Sequence, residues 1–246
     1  MRLAIVIGLA ALLASSSGAA GFAQDSSLHL VAEMVLPPDR NAGQLRLTNT
    51  GTAPAIAWMI EIDRQAPGIP DRPRRALTTL VFDSVMDPTV LPLPPGETRL
   101  VAISTPTSPA TPGPAERIEV KAVLSGDGGA GGDAESIEIL RSRRTATAEA
   151  LEEAHLLLTE SRRRNQPLAE LSKEIEDKLS PARRPADRLA VALFLQRRSV
   201  FALLADQMKG LPPGSNWDSA GMQEIAGAIT ANWKRIAGAI ERANRR

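Results

Sequence analysis

The spacing of apolar residues changes near Asp133, and this change constrains the fold more than any other feature. Before it, apolar residues occupy every second position, as in Ile56, Trp58, Ile60 and Ile62. After it, they recur at steps of three and four, as in Ile137, Leu140, Leu151 and Leu158. The first period is typical of a half-buried strand and the second of an amphipathic helix. The chain therefore predicts a multidomain α+β fold, with strands in its first half and helices in its second.

The first half contains about six predicted strands, separated by turn-forming residues. The strands cover residues 28–35, 44–48, 56–63, 77–83, 98–104 and 117–125. Proline, glycine and asparagine lie between them, as in Pro94-Pro95-Gly96. Short strands with frequent turns and no helical period between them indicate an antiparallel β-sandwich.

Three short motifs carry a resemblance to a known class of domain. They are Leu47-Thr48-Asn49-Thr50-Gly51, Trp58 and Leu93-Pro94-Pro95-Gly96-Glu97. Together they resemble bacterial exported immunoglobulin-like or fibronectin-type domains over residues 27–125. The resemblance implies an Ig-like sandwich over residues 24–126 and no particular function. An antibody-type domain is excluded, because the chain has no cysteine pair and no tyrosine for the tyrosine corner.

A glycine-rich segment, residues 127–133, joins the two halves. Its glycines favour a turn or hinge, and Asp133 is placed to cap the following helix. The alternative is a calcium site, with Asp127, Asp133 and Glu135 as carboxylate donors. The spacing of an EF-hand is absent, so the sequence favours the structural role.

The region 134–246 is predicted to be helical. The helices are expected at 134–165, 168–179, 186–209 and 215–243, with Gly210 as a C-terminal cap of the third. Four helices of this kind can form a small bundle.

The first 23 residues have the order of a secretory signal peptide. Met1-Arg2 is followed by the apolar run 3–13 and by small residues before Gln24. We expect cleavage near Ala23 and an exported mature chain that is periplasmic or secreted. The alternative is a buried N-terminal helix. No later stretch reaches the length of a membrane-spanning helix, so none is expected in the mature chain.

Charge is unevenly divided between the two halves. Residues 24–140 carry 9 basic and 15 acidic side chains, a net of −6, whereas residues 141–246 carry 19 and 13, a net of +6. The arginine clusters in the helices are candidate contacts with an anionic surface, namely Arg162, Arg163, Arg164, Arg197 and Arg198. Ordinary solvated helix faces with nearby glutamates are the simpler interpretation, and contact with an anionic surface is the alternative. Export argues against nucleic acid as a partner.

The last predicted helix carries an apolar stripe, which consists of Met222, Ile225, Ile229, Trp233, Ile236 and Ile240. Its simplest interpretation is bundle core. The alternative is that the stripe contacts a partner protein.

Catalytic chemistry has few candidate residues. The chain has no cysteine and only His29 and His155. Neither a nucleophile motif nor a phosphate-binding loop occurs. The carboxylate pairs Asp83/Asp87 and Glu61/Asp63 are the kind that glycosidases use, but the chain has only seven aromatic residues from which to build a sugar platform. We therefore expect no catalytic residue, metal or cofactor.

The function expected from the sequence is that of an exported, non-enzymatic protein that binds another protein or assists envelope assembly. The partner would be an envelope protein or an anionic envelope surface. The alternatives are an enzyme acting on a cell-envelope polymer and a peripheral membrane protein held by its basic helices.

Overall fold

A computed structural model describes residues 29–35, 43–66, 74–103, 115–179 and 187–244. The predicted signal peptide lies outside these ranges. The described residues form strands first and helices second, in a mixed α+β arrangement. This order confirms the coarse fold predicted from the change in apolar period.

Seven strands make two antiparallel sheets within the described ranges. They are β1 (Leu30–Val35), β2 (Gly43–Asn49), β3 (Ala55–Ala66), β4 (Arg74–Asp83), β5 (Thr98–Ile103), β6 (Ala115–Ser125) and β7 (Ala130–Gly132). One sheet has the order β1-β2-β5 and the other the order β4-β3-β6-β7. The long strand β3 is an inner strand of the second sheet, and Trp58, Ile60 and Ile62 on one of its faces are buried.

One hydrophobic cluster draws side chains from both sheets. Trp58 and Ile60 of β3 pack there with Leu45 and Leu47 of β2, and each is at most 1% exposed. A β-bulge in β6 extends this core. Met59 pairs with Ala122 but the next residue, Ile60, pairs with Val120, so one residue of β6 is left between them. Val120 and Val123 therefore both reach the cluster although they are three residues apart.

The opposite face of β3 is also buried at one end, although alternation predicts that it is exposed to solvent. Met59 is 2% exposed and Ala57 is fully buried. Their partners on β6, Ala122 and Leu124, are also buried. The expectation that one face of β3 is buried and the other exposed is therefore wrong at this end of the strand. Alternation shows which residues share a face, but it does not show whether other parts of the protein cover that face.

The glycine-rich segment begins with the expected turn and then continues as a strand of the second sheet. Residues 130–132 form β7 and pair with β6. Asp127 closes the preceding turn, because its Oδ1 accepts the Gly129 amide at 3.0 Å. Gly132 has φ 114°, and a Cβ built there would lie 2.1 Å from the carbonyl oxygen of Lys121. Only glycine fits this close approach.

The four helices are α1 (Ala134–Arg163), α2 (Leu168–Leu179), α3 (Arg188–Lys209) and α4 (Ala220–Asn244). Asp133 caps α1 as predicted, because its Oδ1 accepts the Ser136 amide at 2.8 Å. Gly210 ends α3 as the expected C-terminal cap, with φ −77° and its amide N–H directed at the carbonyl oxygens of the last turn. Helix α4 begins five residues later than expected, because residues 215–219 form turns around Asn216.

The chain divides into two compact units, and the division falls inside α1, after Leu140. The first unit ends seven residues beyond the predicted boundary at Asp133. The second unit has its own hydrophobic core, to which Leu151 of α1, Ile175 of α2, Phe201 of α3 and Ile229 of α4 contribute. No helix among the described residues combines the length and apolar character needed to cross a bilayer.

Candidate functional site

A groove of about 730 Å³ lies between α1 and α4 in the helical unit. Four residues of α1 line it, at steps of three and four, and so form one helical stripe: His155, Leu158, Thr159 and Arg162. A matching stripe of α4 forms the other wall: Gln223, Ala226, Gly227, Thr230, Ala231 and Lys234. Trp217 closes one end. The volume is within the range of clefts that bind ligands.

Two side-chain contacts fix the relative direction of α1 and α4. Nδ1 of His155 lies 2.9 Å from Oγ1 of Thr230. The indole N–H of Trp217, before α4, donates to the carbonyl oxygen of Gln166, after α1, at 2.8 Å. Moving forward along α1 therefore means moving backward along α4, and the two helices are antiparallel.

The hydroxyl of Thr230 has two possible hydrogen-bond partners. Its Oγ1 lies 2.8 Å from the carbonyl oxygen of Ala226 and 2.9 Å from Nδ1 of His155. A hydroxyl has one proton to donate, so when it donates to Ala226 the contact with His155 uses an imidazole N–H. The ring also stacks on Trp233, with centroids 5.2 Å apart, which fixes its orientation.

The residues that line the groove carry positive charge and no carboxylate. Arg162 and Lys234 are its two permanent cations. Arg162 has a nearby anion outside the lining, because its Nη2 lies 3.5 Å from Oδ1 of Asp218. The side chain of Asp218 is 87% exposed, so this ion pair is weak. An anionic group in the groove would compete with it.

The two arginines that follow Arg162 in the sequence both bind one carboxylate. Arg163 and Arg164 lie 2.7 Å and 2.6 Å from Oε1 of Glu160. The hydrogen bond from Arg163 is the main reason that the pKa of Glu160 is lowered to about 2. The same hydrogen bond raises the pKa of Arg163. These arginines therefore already have an anionic partner at the end of α1.

Arg197 is bound on a different side of α1. Its Nη2 lies 2.7 Å from Oε2 of Glu153, and Lys178 lies 2.8 Å from Oε1 of the same residue. Glu153 thus links α1 with α2 and α3. Glu153 and Arg162 are nine residues apart, which places them about 180° apart around the helix.

The five predicted surface arginines are therefore not brought together into one patch. Arg197 and Arg198 are exposed on α3, whereas Arg162 lines the groove. Of the five, Arg162 alone belongs to the groove lining.

The apolar stripe of α4 packs into the core of the helical unit. Met222, Ile225, Ile229 and Ile236 are between 1% and 7% exposed. Trp233 and Ile240 are partly buried against the same core. The stripe therefore faces the core, and other residues of α4 line the groove. Partner contact through it stays a prediction, and it would require α4 to leave the unit.

The carboxylate pairs have local structural roles. Oδ1 of Asp83 accepts the amide of Val85 at 2.9 Å, and Oδ1 of Asp87 accepts the amide and hydroxyl of Thr89. Glu61 is paired with Glu119 across β3 and β6, and its charge acts on Lys121. Burial lowers the pKa of Lys121, but its hydrogen bond to Glu119 and the charges of Glu119, Glu61 and Asp133 outweigh burial, so the pKa is raised.

No group of three or more metal-ligating side chains occurs among the residues that the structure describes. Comparison with protein-family models, curated proteins and solved structures finds no match to this chain. The groove is therefore interpreted from its own geometry.

Sequence reasoning missed most of this groove. Thr230, Trp217 and Lys234 carry no signal that the sequence analysis identifies. The polar residues of α4 at steps of three and four are the signal that could have identified one wall. Which helix supplies the other wall depends on tertiary packing.

Proposed function

We propose that this chain is an exported, non-catalytic binding protein that contacts an envelope partner through the groove between α1 and α4. The observation that carries the proposal is the charge of the groove: Arg162 and Lys234 line a concave surface that contains no carboxylate. Charge of one sign in a cleft attracts ligands of the opposite sign. Export rests on the signal-like order of residues 1–23.

We further propose that the first unit is an Ig-like sandwich. Strand order supports this proposal, because β1-β2-β5 corresponds to strands A, B and E, and β3-β6-β7 to C, F and G. Pairing of β4 with β3 corresponds to strand C′ of variable-type domains. Trp58 on β3 occupies the strand-C position at which such domains bury a tryptophan. Domains of this kind are frequent scaffolds for binding surfaces.

The distribution of arginines favours a protein partner over a lipid surface. A flat anionic layer is best contacted by cations that share one side of a molecule. Here Arg197 and Arg162 are on opposite sides of α1, and Arg163 and Arg164 share Glu160. A groove with cations in its walls is better suited to a narrow acidic ligand.

The test is cross-linking in intact cells with a tagged chain, followed by mass spectrometry. We expect a reproducible envelope partner whose capture is lost in the double variant Arg162→Glu/Lys234→Glu. The matched control is Lys173→Glu/Arg198→Glu, which changes the net charge equally on exposed residues outside the groove. Equal capture by both variants would overturn the assignment of the groove as the contact surface.

A vesicle assay distinguishes peripheral membrane binding from recognition of a partner by the groove. If the purified protein sediments with anionic phospholipid vesicles at low salt and both double variants lose this property equally, general positive charge is the cause. That result would support peripheral membrane binding instead of groove recognition.

A further inference from the structure

The two cations of the groove lie at its opposite ends. His155 and Thr230 are in contact and mark one level of the antiparallel pair. Arg162 lies seven residues beyond His155, about 10 Å along α1. Lys234 lies four residues beyond Thr230, about 6 Å in the other direction. The two positions are thus about 16 Å apart along the groove.

The cations also lie on opposite walls. Arg162 belongs to α1 and Lys234 belongs to α4. An extended chain in the groove would direct successive side chains to alternate walls. Two of its carboxylates would reach the two cations only if they were an odd number of positions apart along the chain.

Polar side chains of the lining lie close to both cations, where they can meet an extended backbone. Gln223 is seven residues before Thr230 and so lies level with Arg162. It donates its amide N–H to the carbonyl of Asp218 at 3.3 Å, which leaves its side-chain oxygen as an acceptor. His155 adds a second polar side chain, nearer to Lys234. Such groups can pair with the amides of an extended peptide, whereas a bound helix has its amides already satisfied.

We infer that the groove binds an extended acidic segment of a partner protein, with two carboxylates five residues apart. Five residues of extended chain cover about 16 Å. The odd spacing sends one carboxylate to Arg162 and the other to Lys234. This inference rests on the proposed function and specifies the chemistry of its ligand.

Asp218 supplies an internal competitor for this ligand. Its carboxylate lies 3.5 Å from Arg162 and is mostly exposed. A ligand carboxylate at Arg162 would displace only a weak, solvent-exposed ion pair. Removing Asp218 should therefore strengthen binding, while removing either cation should weaken it.

The experiment measures the fluorescence anisotropy of labelled synthetic peptides with the full mature chain. Each peptide holds two glutamates separated by three, four, five or six positions, with β-branched residues between them to favour an extended chain. We expect the tightest binding at a spacing of five and weaker binding at four and six. Equal affinity at all spacings, or binding of none, would overturn the inference.

Three variants test the site itself. Arg162→Gln and Lys234→Gln should each weaken binding of the five-spaced peptide by about two- to fivefold, and Asp218→Asn should strengthen it by a similar factor. Lys173→Gln is the control and should change nothing. If the two single variants Asp218→Asn and Arg162→Gln both bind the peptide with unchanged affinity, the peptide binds elsewhere on the protein.

Failure of this inference is distinguishable from failure of the proposed function. If cells yield a groove-dependent partner but no peptide binds, the ligand is not an extended acidic segment and the proposed function stands. If the five-spaced peptide binds but cells yield no groove-dependent partner, the binding chemistry stands and the proposed role as an envelope contact falls.

Discussion

Trp58 on β3 stacks against Phe82, the residue directly opposite it on β4, with ring centroids 5.6 Å apart and planes inclined by 26°. Such cross-strand aromatic pairs stabilise a sheet beyond the area they bury. The indole Nε1 of Trp58 is buried and has no hydrogen-bond partner among the described residues. Ring packing, and not hydrogen bonding, is therefore what Trp58 contributes.

This geometry predicts that Trp58→Phe is tolerated and Trp58→Ala is not. Phenylalanine keeps a ring against Phe82 and removes an unpaired N–H, so we expect a loss below about 1.5 kcal/mol in the free energy of unfolding. Alanine leaves a cavity and should cost about 3–5 kcal/mol. Denaturant titration followed by the amide NMR signals of β2 measures the stability of the first unit. Equal losses in both variants would contradict the role assigned to the ring.

Gly132 is expected to be far less replaceable than Gly128, although both have positive φ. A Cβ at Gly132 would meet the backbone of Lys121, whereas nothing lies within 4 Å of one at Gly128. Gly128→Ala should cost about 1–3 kcal/mol from backbone strain alone. Gly132→Ala should cost more and weaken the pairing of β7 with β6. Hydrogen exchange of the β6 amides compares the two variants, and equal protection would refute the steric argument.

The contact between Thr230 and His155 predicts one tautomer of the imidazole when the Thr230 hydroxyl donates to the carbonyl oxygen of Ala226. At a pH where the ring is neutral, long-range ¹H–¹⁵N NMR spectra should show the proton on Nδ1. Thr230→Val removes the acceptor and leaves a half-buried N–H unpaired, which should cost about 1–3 kcal/mol. Thr159→Val is a suitable control, because the hydroxyl of Thr159 bonds only its own helix at the carbonyl of His155. An Nε2–H tautomer in the unmodified protein would disprove the assignment.

Glu160 should titrate well below an ordinary glutamate, with a pKa of about 2. A carboxyl whose pKa is lower in the folded state stabilises the fold above its unfolded value, 4.5. That contribution is lost as the pH falls from about 4.5 towards 2. NMR titration of the Glu160 side chain measures the shift directly. Arg163→Gln should bring the pKa back towards 4.5, because the Arg163 hydrogen bond is its largest cause. A pKa unchanged by this substitution would contradict that cause.

The export prediction is tested by the N-terminus of the protein recovered from cells. Intact-mass measurement of a C-terminally tagged chain should show a mature protein that begins at Gln24. Replacing Ala23 with arginine should block cleavage without affecting the rest of the chain. Recovery of an unprocessed chain with Met1 in the unaltered protein would contradict the signal-peptide interpretation and favour the alternative of a buried helix.

The sequence by itself determined the order of strands and helices. Alternation in residues 56–62 requires β3, and the steps of three and four in α4 require an amphipathic helix, because each element must direct its apolar side chains to one side. The bounds of α2, 168–179, were predicted correctly from Pro167 and Pro181. These are local properties, so neighbouring residues contain the necessary information.

The tertiary structure alone decided which helix faces which. The groove depends on a contact between His155 and Thr230, 75 residues apart, and on the antiparallel packing that places Arg162 and Lys234 at opposite ends. Period and composition describe each helix separately and contain no signal for this pairing. It follows from the joint packing of Leu151, Phe201 and Ile229 in one core, since burying those side chains fixes how the helices are turned towards one another.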